Sequence, residues 1–308
     1  MKILLQFPEG LKQKAVELAK DYEKKGHEVF LSASPCYGAC DLALDEARWI
    51  KADKIVHYGH NRFMKEDKSG SPADALQVEY VPYSVDVDID SLSAVLPFIE
   101  KNKKIALATT VQHIHQFPKM KAFFEKHGKT VFAENGERAS EIGQVLGCDA
   151  LAVKKVEDNV DAVVFVGSGA FHALAIDIAK PVFVFNPYDH TVRDLSADIE
   201  KLRKRRKGAI AKALTCKRFG VLLSTKPGQF NIAQAQWAKK ELSKRGMECS
   251  VVVANEFDPM SLGNFLSFDC YISTACPRIS DDQEKFEKPV LNIAMLRELF
   301  EIMDANKE

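Results

Sequence analysis

The feature that most constrains how this chain folds is a strand, helix, glycine and strand pattern that occurs three times along it. In the first copy, an apolar strand predicted at 2–7 leads to a helix at 11–25, which Gly26 ends, and then to strands at 27–31 and 53–57. Apolar residues spaced three and four apart favour the helix, and a glycine directly after it is typical of a helix end. This segment therefore predicts one α/β unit.

The second and third copies repeat the order around their own glycines, Gly128 and Gly246. Their strands are predicted at 104–108, 130–133 and 161–166, and at 219–223, 249–253 and 269–273. In all three copies the last of these strands opens on an acidic residue, which is Asp53, Asp161 or Asp269. Continuous apolar strands that alternate with helices indicate parallel sheets covered on both faces.

We therefore predict an α/β fold of three homologous parallel-sheet domains, at residues 1–97, 98–200 and 201–308. A single long sheet is the alternative, because repeated strand and helix units can also extend one sheet.

The composition excludes several classes of protein. The 308 residues are 46% apolar and 28% charged, which is typical of a globular protein and not of a disordered, collagen-like or coiled-coil chain. Lys and Arg together number 43, as do Asp and Glu, so no net charge favours nucleic acid or an anionic membrane as a partner. No apolar run approaches the ~20 residues that span a bilayer, and the apolar start breaks too early for a signal peptide. We expect a cytoplasmic enzyme.

Seven cysteines, an odd number, favour thiol or metal chemistry over disulfides in a chain of this kind. Cys40 and Cys148 follow the second strands of the first and second copies, and Cys276 ends the third strand of the third copy. Ligands of α/β sheets gather beyond the carboxyl ends of the strands. Pseudo-threefold packing of the copies would bring the three thiols to one centre. Three thiolates suit an iron–sulfur cluster that leaves one iron open to a substrate, whereas structural zinc takes four protein ligands.

The other four cysteines carry less weight. Strand positions in the core are expected for Cys249 and Cys270, and Cys216 has no companion. Cys36 and Cys40 resemble the start of the radical S-adenosylmethionine pattern Cys-x3-Cys-x2-Cys, which fails because an alanine stands at position 43. We interpret Cys36 as a packing residue or as a spare thiol behind the ligands.

Polar and glycine-rich segments follow other predicted strands at the same edge. They are residues 57–60 (His-Tyr-Gly-His), 167–172 (Gly-Ser-Gly-Ala-Phe-His), 226–231, and Arg278 with the acidic pair 281–282. The second segment is expected to lead into a helix whose amino end receives a carboxylate. Together the segments predict a pocket for a zwitterionic, nucleotide-bearing substrate. The paired histidines also permit a metal site, although no carboxylate at suitable spacing supports it.

A basic run occupies residues 201–207. Its simplest interpretation is a solvated helical face or a linker between the second and third domains. The alternative is a docking patch for an acidic protein or for RNA.

Four segments of the chain resemble the diphthamide synthesis radical enzymes, the 2-(3-amino-3-carboxypropyl)histidine synthases of the archaeal homodimeric type. They are residues 35–41 (Pro-Cys-Tyr-Gly-Ala-Cys-Asp), 57–60 (His-Tyr-Gly-His), 143–148 (Gly-Gln-Val-Leu-Gly-Cys) and 273–278 (Ser-Thr-Ala-Cys-Pro-Arg). The segments come in matching order, and the resemblance covers the whole chain. It implies a triangular, pseudo-threefold arrangement of three homologous domains around a 4Fe-4S cluster held by Cys40, Cys148 and Cys276.

The resemblance also implies an activity. The family transfers the 3-amino-3-carboxypropyl group of S-adenosylmethionine to the C2 carbon of a histidine imidazole in translation elongation factor 2. This is the first step of diphthamide biosynthesis, and it uses an unusual radical mechanism that releases methylthioadenosine. A homodimer and an external electron donor are implied as well, and neither a membrane nor direct nucleic-acid binding is expected.

The position of the bound substrate determines which carbon–sulfur bond of the sulfonium breaks. Our candidates for holding S-adenosylmethionine share a place beyond the ends of predicted strands; they are His57, Ser168, Gly169, His172, Gln229, Arg278 and Asp282. For Asp282 the alternative is a charge at a helix amino terminus.

Two rival functions stay open from the sequence. Quinolinate synthase also has three α/β units and three cysteines on a 4Fe-4S cluster, whose open iron acts as a Lewis acid in a dehydration. A non-catalytic scaffold subunit of the same family is the other rival, and the presence of all three cysteines argues against it.

Overall fold

The computed structural model of the chain describes residues 1–62 and 76–305. The strands are β1 Lys2–Gln6, β2 Glu28–Leu31, β3 Lys54–Tyr58, β4 Gln77–Val81, β5 Lys104–Thr109, β6 Thr130–Phe132, β7 Ala162–Val166, β8 Val182–Phe185, β9 Val192–Asp194, β10 Arg218–Ser224, β11 Glu248–Ala254, β12 Cys270–Ser273 and β13 Val290–Asn292.

The α-helices are α1 Ala15–Glu23, α2 Leu44–Trp49, α3 Phe117–Lys126, α4 Leu151–Lys154, α5 Ser196–Ala213, α6 Ile232–Lys244, α7 Pro259–Gly263 and α8 Ile293–Ala305. Helices of the 3-10 type lie at Glu9–Lys14, Asp90–Ile99, Ile114–Gln116, Glu157–Asn159, Ala173–Ala175 and Pro277–Lys285. Within residues 1–62 and 76–305, no helix combines the length and the apolar character needed to cross a bilayer.

The strands form three separate sheets that share one strand order. The first sheet runs β2-β1-β3-β4, the second β6-β5-β7-β8-β9 and the third β11-β10-β12-β13. All neighbours pair in parallel except β9, which is antiparallel to β8. The predicted α/β class with three parallel sheets is confirmed, and the alternative of one long sheet is wrong. The sequence analysis missed the fourth strand of each sheet and β9.

The repeat is also visible where the first helix of each copy ends. Gly26, Gly128 and Gly246 all have positive φ angles, of 81°, 76° and 78°. A residue with a side chain rarely adopts this conformation, so glycine ends the helix and starts the return towards the second strand. The three predicted helix ends are therefore confirmed.

The acidic residue before the third strand has a structural task that recurs in every sheet. Asp53 Oδ2 accepts a hydrogen bond from the backbone N–H of Lys2 at 2.6 Å. Asp161 and Asp269 accept bonds from the equivalent backbone amides before and at the start of β5 and β10. Each carboxylate thus ties the amino end of the first strand to that of the third, and this sets their register.

Each first strand buries alternate residues on opposite faces of its sheet. In β1, Ile3 and Leu5 pack with α1 residues on one face, and Leu4 packs with α2 residues on the other. In β10, Val221 and Leu223 face one cluster and Leu222 faces another. Burial on both faces explains why these strands are continuous apolar runs in the sequence.

The chain divides into two compact units, Met1–Ala197 and Asp198–Glu308. The first unit contains the first two sheets, and the second contains the third sheet. Each sheet lies within one of the ranges 1–97, 98–200 and 201–308. The domain boundaries themselves remain predictions.

The basic run 201–207 lies in α5. Leu202 is buried, Arg206 donates a hydrogen bond to Asp281 at 2.8 Å, and Arg205 is 3.0 Å from Glu284. These contacts fit the interpretation as one face of a helix, with part of its charge used in ion pairs.

We predict that Asp269→Asn lowers the free energy of unfolding by about 1–2 kcal/mol at pH 7, because charged hydrogen bonds are lost at a partly exposed site. The Arg218 guanidinium, 2.7 Å away, lowers the pKa of the Asp269 carboxyl from 3.8 to about 2. The contribution of the Asp269 carboxylate to the free energy of unfolding is therefore complete above a pH of about 4 and is lost as the pH falls through about 2. Denaturation of both proteins at several pH values measures this.

The matched control is Glu301→Gln, which removes an exposed carboxylate from α8 and is expected to leave stability unchanged within about 0.5 kcal/mol. An Asp269→Asn protein as stable as the wild type at pH 7 would contradict the role of this carboxylate.

Candidate functional site at the carboxyl ends of the strands

The loop that carries Cys40 is held against the end of β1 by one side chain. Gln6, the last residue of β1, donates a hydrogen bond from Nε2 to the carbonyl of Asp41 at 2.6 Å. Its Oε1 accepts one from the backbone N–H of Ala43 at 3.2 Å. Gln6 is 1% exposed, so both bonds lie out of water and fix the loop firmly. Cys40 is therefore placed at the carboxyl edge of the first sheet, as predicted.

Cys148 lies on a loop that is held in a related way at the end of β5. Thr109, the last residue of β5, donates its backbone N–H to the carbonyl of Gly143 and accepts from the N–H of Val145, both at 2.9 Å. Leu146 and Asp149 then exchange two backbone hydrogen bonds, so that Cys148 sits in a tight turn. A Cβ on the neighbouring Gly147 would lie 2.3 Å from the ring of the exposed Phe171, so a larger residue there would displace that ring.

The electrostatics of Cys148 involve a residue that the sequence analysis missed. Burial raises the pKa of the Cys148 thiol, and the guanidinium of Arg138, within hydrogen-bonding reach, opposes that rise. The backbone N–H of Arg138 donates to Asp149 Oδ2 at 2.6 Å, which holds this residue beside the loop. A cation at this place stabilises a thiolate. The sequence pattern offered no signal for Arg138, since it is ten residues away on an irregular segment.

Cys276 follows β12 in the third sheet. Its carbonyl accepts a hydrogen bond from Ser273 Oγ at 3.4 Å and another from the backbone N–H of Ile279 at 3.2 Å. It directly precedes the 3-10 helix Pro277–Lys285. Like Cys40 and Cys148, it is half-buried. It lies three residues past the end of β12, whereas Cys40 and Cys148 lie on longer loops, nine residues after β2 and sixteen after β6.

The carboxyl-end loops of the first two sheets are bonded to each other within the first unit. Asn61, which follows β3, donates to Gln144 Oε1 at 3.2 Å and accepts from Gln144 Nε2 at 3.1 Å. Asn61 also donates to Ser140 Oγ at 2.7 Å. The loop after β3 and the loop that carries Cys148 are therefore joined by a paired amide contact.

The substrate-binding candidates of the first unit lie on a surface turn after β7. Ser168 and Gly169 are exposed, and His172 is half-buried with its ring 5.3 Å from that of Phe171. The helix expected after this segment is absent there: the structure has only the 3-10 helix Ala173–Ala175. A single short turn lacks the aligned peptide dipoles of a long helix, so the expected carboxylate site at a helix amino end is not formed.

In the second unit, Gln229 lies on a turn after β10. Its backbone N–H donates a hydrogen bond to the carbonyl of Lys226 at 2.9 Å. Arg278 has a side chain 12% exposed, with Nε 3.0 Å from Asp281 Oδ2. Asp282 is exposed and pairs with Lys285 at 2.8 Å. It lies inside the 3-10 helix Pro277–Lys285 with non-helical backbone angles, so its interpretation as a charge at a helix amino terminus is not supported.

His57 has surroundings that differ from those of the other candidates. It is fully buried, with Nδ1 2.9 Å from Gln6 Oε1 and Nε2 3.0 Å from His60 Nδ1. Burial lowers the pKa of His57 to about 3 and that of His60 to about 4, so both imidazoles are neutral at pH 7. A side chain enclosed in this way does not fit the predicted direct contact with a substrate.

Cys36 completes a buried group with these two histidines. One potential ligand atom from each of Cys36, His57 and His60 lies within 4.8 Å of the others. Burial raises the pKa of the Cys36 thiol to about 12. The paired histidines permitted a metal site from the sequence, but the third donor expected beside them was a carboxylate. The structure places the thiol of Cys36 there instead, about twenty residues earlier in the chain.

Cys249 and Cys270 lie in the core as expected, whereas Cys216, for which no companion was expected, lies beside Cys270. Cys270 is fully buried in β12, and Cys249 packs half-buried against the same core. Cys216 is buried beside Cys270, and its Sγ lies 3.6 Å from the carbonyl of Asp269. These three thiols lie away from the loops at the carboxyl ends of the strands.

Comparison with known proteins shows what this arrangement belongs to. A 2-(3-amino-3-carboxypropyl)histidine synthase of Pyrococcus horikoshii is 38% identical over 296 residues, which cover 94% of this chain and 83% of that protein. The synthase of Methanocaldococcus jannaschii is 31% identical over 94% of this chain and 81% of its own length. Subunit 1 of the synthase from Caenorhabditis elegans is 28% identical over 94% of this chain and 73% of its own.

A solved structure is similar as well. The crystal structure of Dph2 from Pyrococcus horikoshii with a 4Fe-4S cluster matches with a TM-score of 0.86 and 36% identity, and covers 98% of this chain and 86% of that one. The sequence model of the diphthamide synthesis proteins matches residues 7–304. These matches favour the resemblance first drawn from the cysteine and histidine segments over the quinolinate synthase alternative. The chain belongs to the diphthamide synthesis protein family.

Proposed function

We propose that this protein is a 2-(3-amino-3-carboxypropyl)histidine synthase that carries out the first step of diphthamide biosynthesis. It transfers the 3-amino-3-carboxypropyl group of S-adenosylmethionine to C2 of a histidine imidazole in translation elongation factor 2 and releases methylthioadenosine. The observation that carries this proposal is a family match from residue 7 to 304 in a chain whose three cysteines follow the strand ends.

We propose Cys40, Cys148 and Cys276 as the ligands of a 4Fe-4S cluster. The donor chemistry fits, because all seven cysteines carry reduced thiols and these three are half-buried rather than enclosed in the core. Gly38 leaves room beside the first ligand: a Cβ there would lie 3.7 Å from the sulfur of Cys40. The relative from Pyrococcus horikoshii has been solved with such a cluster. Three protein thiolates leave one iron without a protein ligand.

When bound and reduced, such a cluster supplies the electron that breaks a carbon–sulfur bond of the sulfonium. The residues of the chain hold, orient and shield the reactants. Gln6 and Thr109 fix the two ligand loops of the first unit, and Arg138 places a positive charge beside Cys148. Positive charge near a cluster ligand favours the reduced, more negative state.

For S-adenosylmethionine, we propose that Arg278 binds the substrate carboxylate. Arg278 lies two residues after Cys276, and its guanidinium is 3.0 Å from Asp281, which Arg206 also contacts at 2.8 Å. A planar guanidinium can bind a carboxylate through two parallel hydrogen bonds. Asp282, Gln229, Ser168, Gly169 and His172 are the further candidates for the amino group and the nucleoside.

We also propose a homodimer, an external electron donor and a place in the cytoplasm, where thiols stay reduced. The odd number of cysteines, seven, favours free thiols and supports that compartment. The scaffold alternative is disfavoured because the chain keeps all three candidate ligands.

We predict that Cys40→Ser, Cys148→Ser and Cys276→Ser each lower methylthioadenosine release to below about 1% of the wild type, because a cluster ligand is lost. The measurement incubates the anaerobic, dithionite-reduced protein with S-adenosylmethionine and elongation factor 2. Wild-type protein is expected to be brown and to contain about four irons per chain.

Cys249→Ser is the matched control, since this half-buried thiol packs against a core cluster. It is expected to keep both iron and activity. Full activity in any one of the three ligand variants would remove that cysteine from the proposal. Absence of methylthioadenosine with the intact, reduced wild type would reject the function itself, and would favour Lewis-acid chemistry or a scaffold.

We predict that Arg278→Gln raises the KM for S-adenosylmethionine by about 10–100-fold, because one charged hydrogen bond contributes about 1.5–3 kcal/mol. Iron content is expected to stay unchanged. Steady-state kinetics at several substrate concentrations separates KM from kcat.

Arg206→Gln serves as the control, because it removes the other guanidinium from the same Asp281 carboxylate. Its KM is expected to remain near the wild-type value even if its stability falls. Equal rises of KM in both variants would show that the shared ion pair, and not a contact from Arg278, is responsible.

A further inference from the structure

The group formed by Cys36, His57 and His60 differs from the three proposed cluster ligands in its donor atoms, because two of its three donors are imidazole nitrogens. Cys36 comes from the loop after β2, His57 from β3 and His60 from the segment just after β3. Cys36 is 4% exposed and His57 is fully buried. One sulfur and two nitrogen atoms therefore converge in the interior, within 4.8 Å of one another.

The hydrogen bonds of Gln6 determine which atom of His57 faces the group. Because Gln6 Nε2 donates to the carbonyl of Asp41, its Oε1 must be the atom that faces Ala43 N–H and His57 Nδ1. His57 Nδ1 therefore carries the proton and donates it, so Nε2 keeps its lone pair. A backing acceptor that sets the tautomer in this way is typical of metal-binding histidines.

The backbone turns back at Gly59 to bring the second histidine to the first. Gly59 has a φ of 90°, and a Cβ there would lie 2.7 Å from Cγ of Pro8. The same turn is closed by a hydrogen bond from Gly59 N–H to the carbonyl of Val81 at 2.8 Å. This conformation places His60 Nδ1 3.0 Å from His57 Nε2.

We propose that Cys36 Sγ, His57 Nε2 and His60 Nδ1 form a second metal site, which binds one divalent transition-metal ion, with Zn²⁺ as the best match. One thiolate and two imidazoles are the donors that Zn²⁺ prefers, and three protein ligands leave one further position. The site uses none of the proposed cluster ligands and is independent of the proposed function.

Zn–N bonds of about 2.0–2.1 Å in a tetrahedron put two nitrogens about 3.3 Å apart, close to the 3.0 Å between the two imidazole nitrogens. With a Zn–S bond of about 2.3 Å, the sulfur lies about 3.5 Å from each nitrogen. The three atoms lie within 4.8 Å of one another, so a shift of at most about 1.3 Å brings the Cys36 thiol to the ion. On binding, the Cys36 thiol releases one proton to solvent, and the His60 proton moves from Nδ1 to Nε2. No electron is transferred. The bound ion links the loop that carries Cys40 to the end of β3.

The test uses the full chain, purified without oxygen with its iron, loaded with one equivalent of Zn²⁺ and desalted. Elemental analysis is expected to find about one zinc per chain, and zinc-edge X-ray absorption is expected to show one sulfur near 2.3 Å and two nitrogens near 2.0 Å. Competition with a chromophoric chelator is expected to show at least a 10-fold weaker affinity in Cys36→Ser and in His60→Gln.

Two further variants separate this site from the cluster. Cys40→Ser is expected to lose iron and keep zinc, and Cys249→Ser is expected to keep both metals. Circular dichroism of every variant checks that the fold is intact.

The inference is overturned if loaded wild-type protein retains only trace zinc, if folded Cys36→Ser binds zinc as tightly as wild type, or if zinc has no sulfur neighbour. Zinc that disappears in Cys40→Ser would also overturn it, because the ion would then occupy the cluster ligands. The two proposals can also fail separately. If the wild-type protein and its variants bind zinc as expected but the protein holds no iron, the zinc site is supported and the proposed function fails.

Discussion

Parallel pairing of the first and third strands is the constraint on which the candidate site depends. In every sheet these two strands are central neighbours, and a carboxylate at the amino end of the third strand holds the backbone of the first. Because parallel strands end at the same edge, the loops that follow them start from adjacent points. Cys276 reaches that edge three residues after β12, and the longer loops that carry Cys40 and Cys148 are held there by hydrogen bonds from the ends of β1 and β5.

The last residues of the first strands convert this edge into a defined surface. Gln6 and Thr109 form hydrogen bonds to the loops that follow the second strands of their sheets, Gln6 with its side-chain amide and Thr109 with its backbone. Buried polar groups of this kind are stable only when their partners are in place. The loops that carry Cys40 and Cys148 therefore have one preferred path each, although neither contains regular secondary structure at its cysteine.

Much of the fold was predictable because it depends on local patterns. Apolar runs buried on both faces, and glycines with positive φ after the helices, are visible in the sequence itself. The fourth strands, β4, β8 and β13, have five, four and three residues and were not predicted. Their pairing depends on a neighbour distant in sequence, which no local pattern records.

The site was predictable to a smaller extent for the same reason. Cys40, Cys148 and Cys276 stand at strand ends that periodicity reveals. The partnership of Gln6 with His57 joins residues 51 positions apart, and that of Asn61 with Gln144 joins residues 83 positions apart. The helix expected after residue 172 does not form, and the chain makes a single 3-10 turn there instead.

The acidic residues that begin the third strands have one more consequence, which concerns the range of their charge. β1 has five residues, so Asp53 at one edge of the sheet is separated from the opposite edge by about 16 Å at about 3.3 Å per residue. That distance is about twice the screening length of a physiological salt solution, about 8 Å. A charge much closer to a thiol, such as the Arg138 guanidinium within hydrogen-bonding reach of Cys148, therefore affects the pKa of that thiol more than the distant aspartates do.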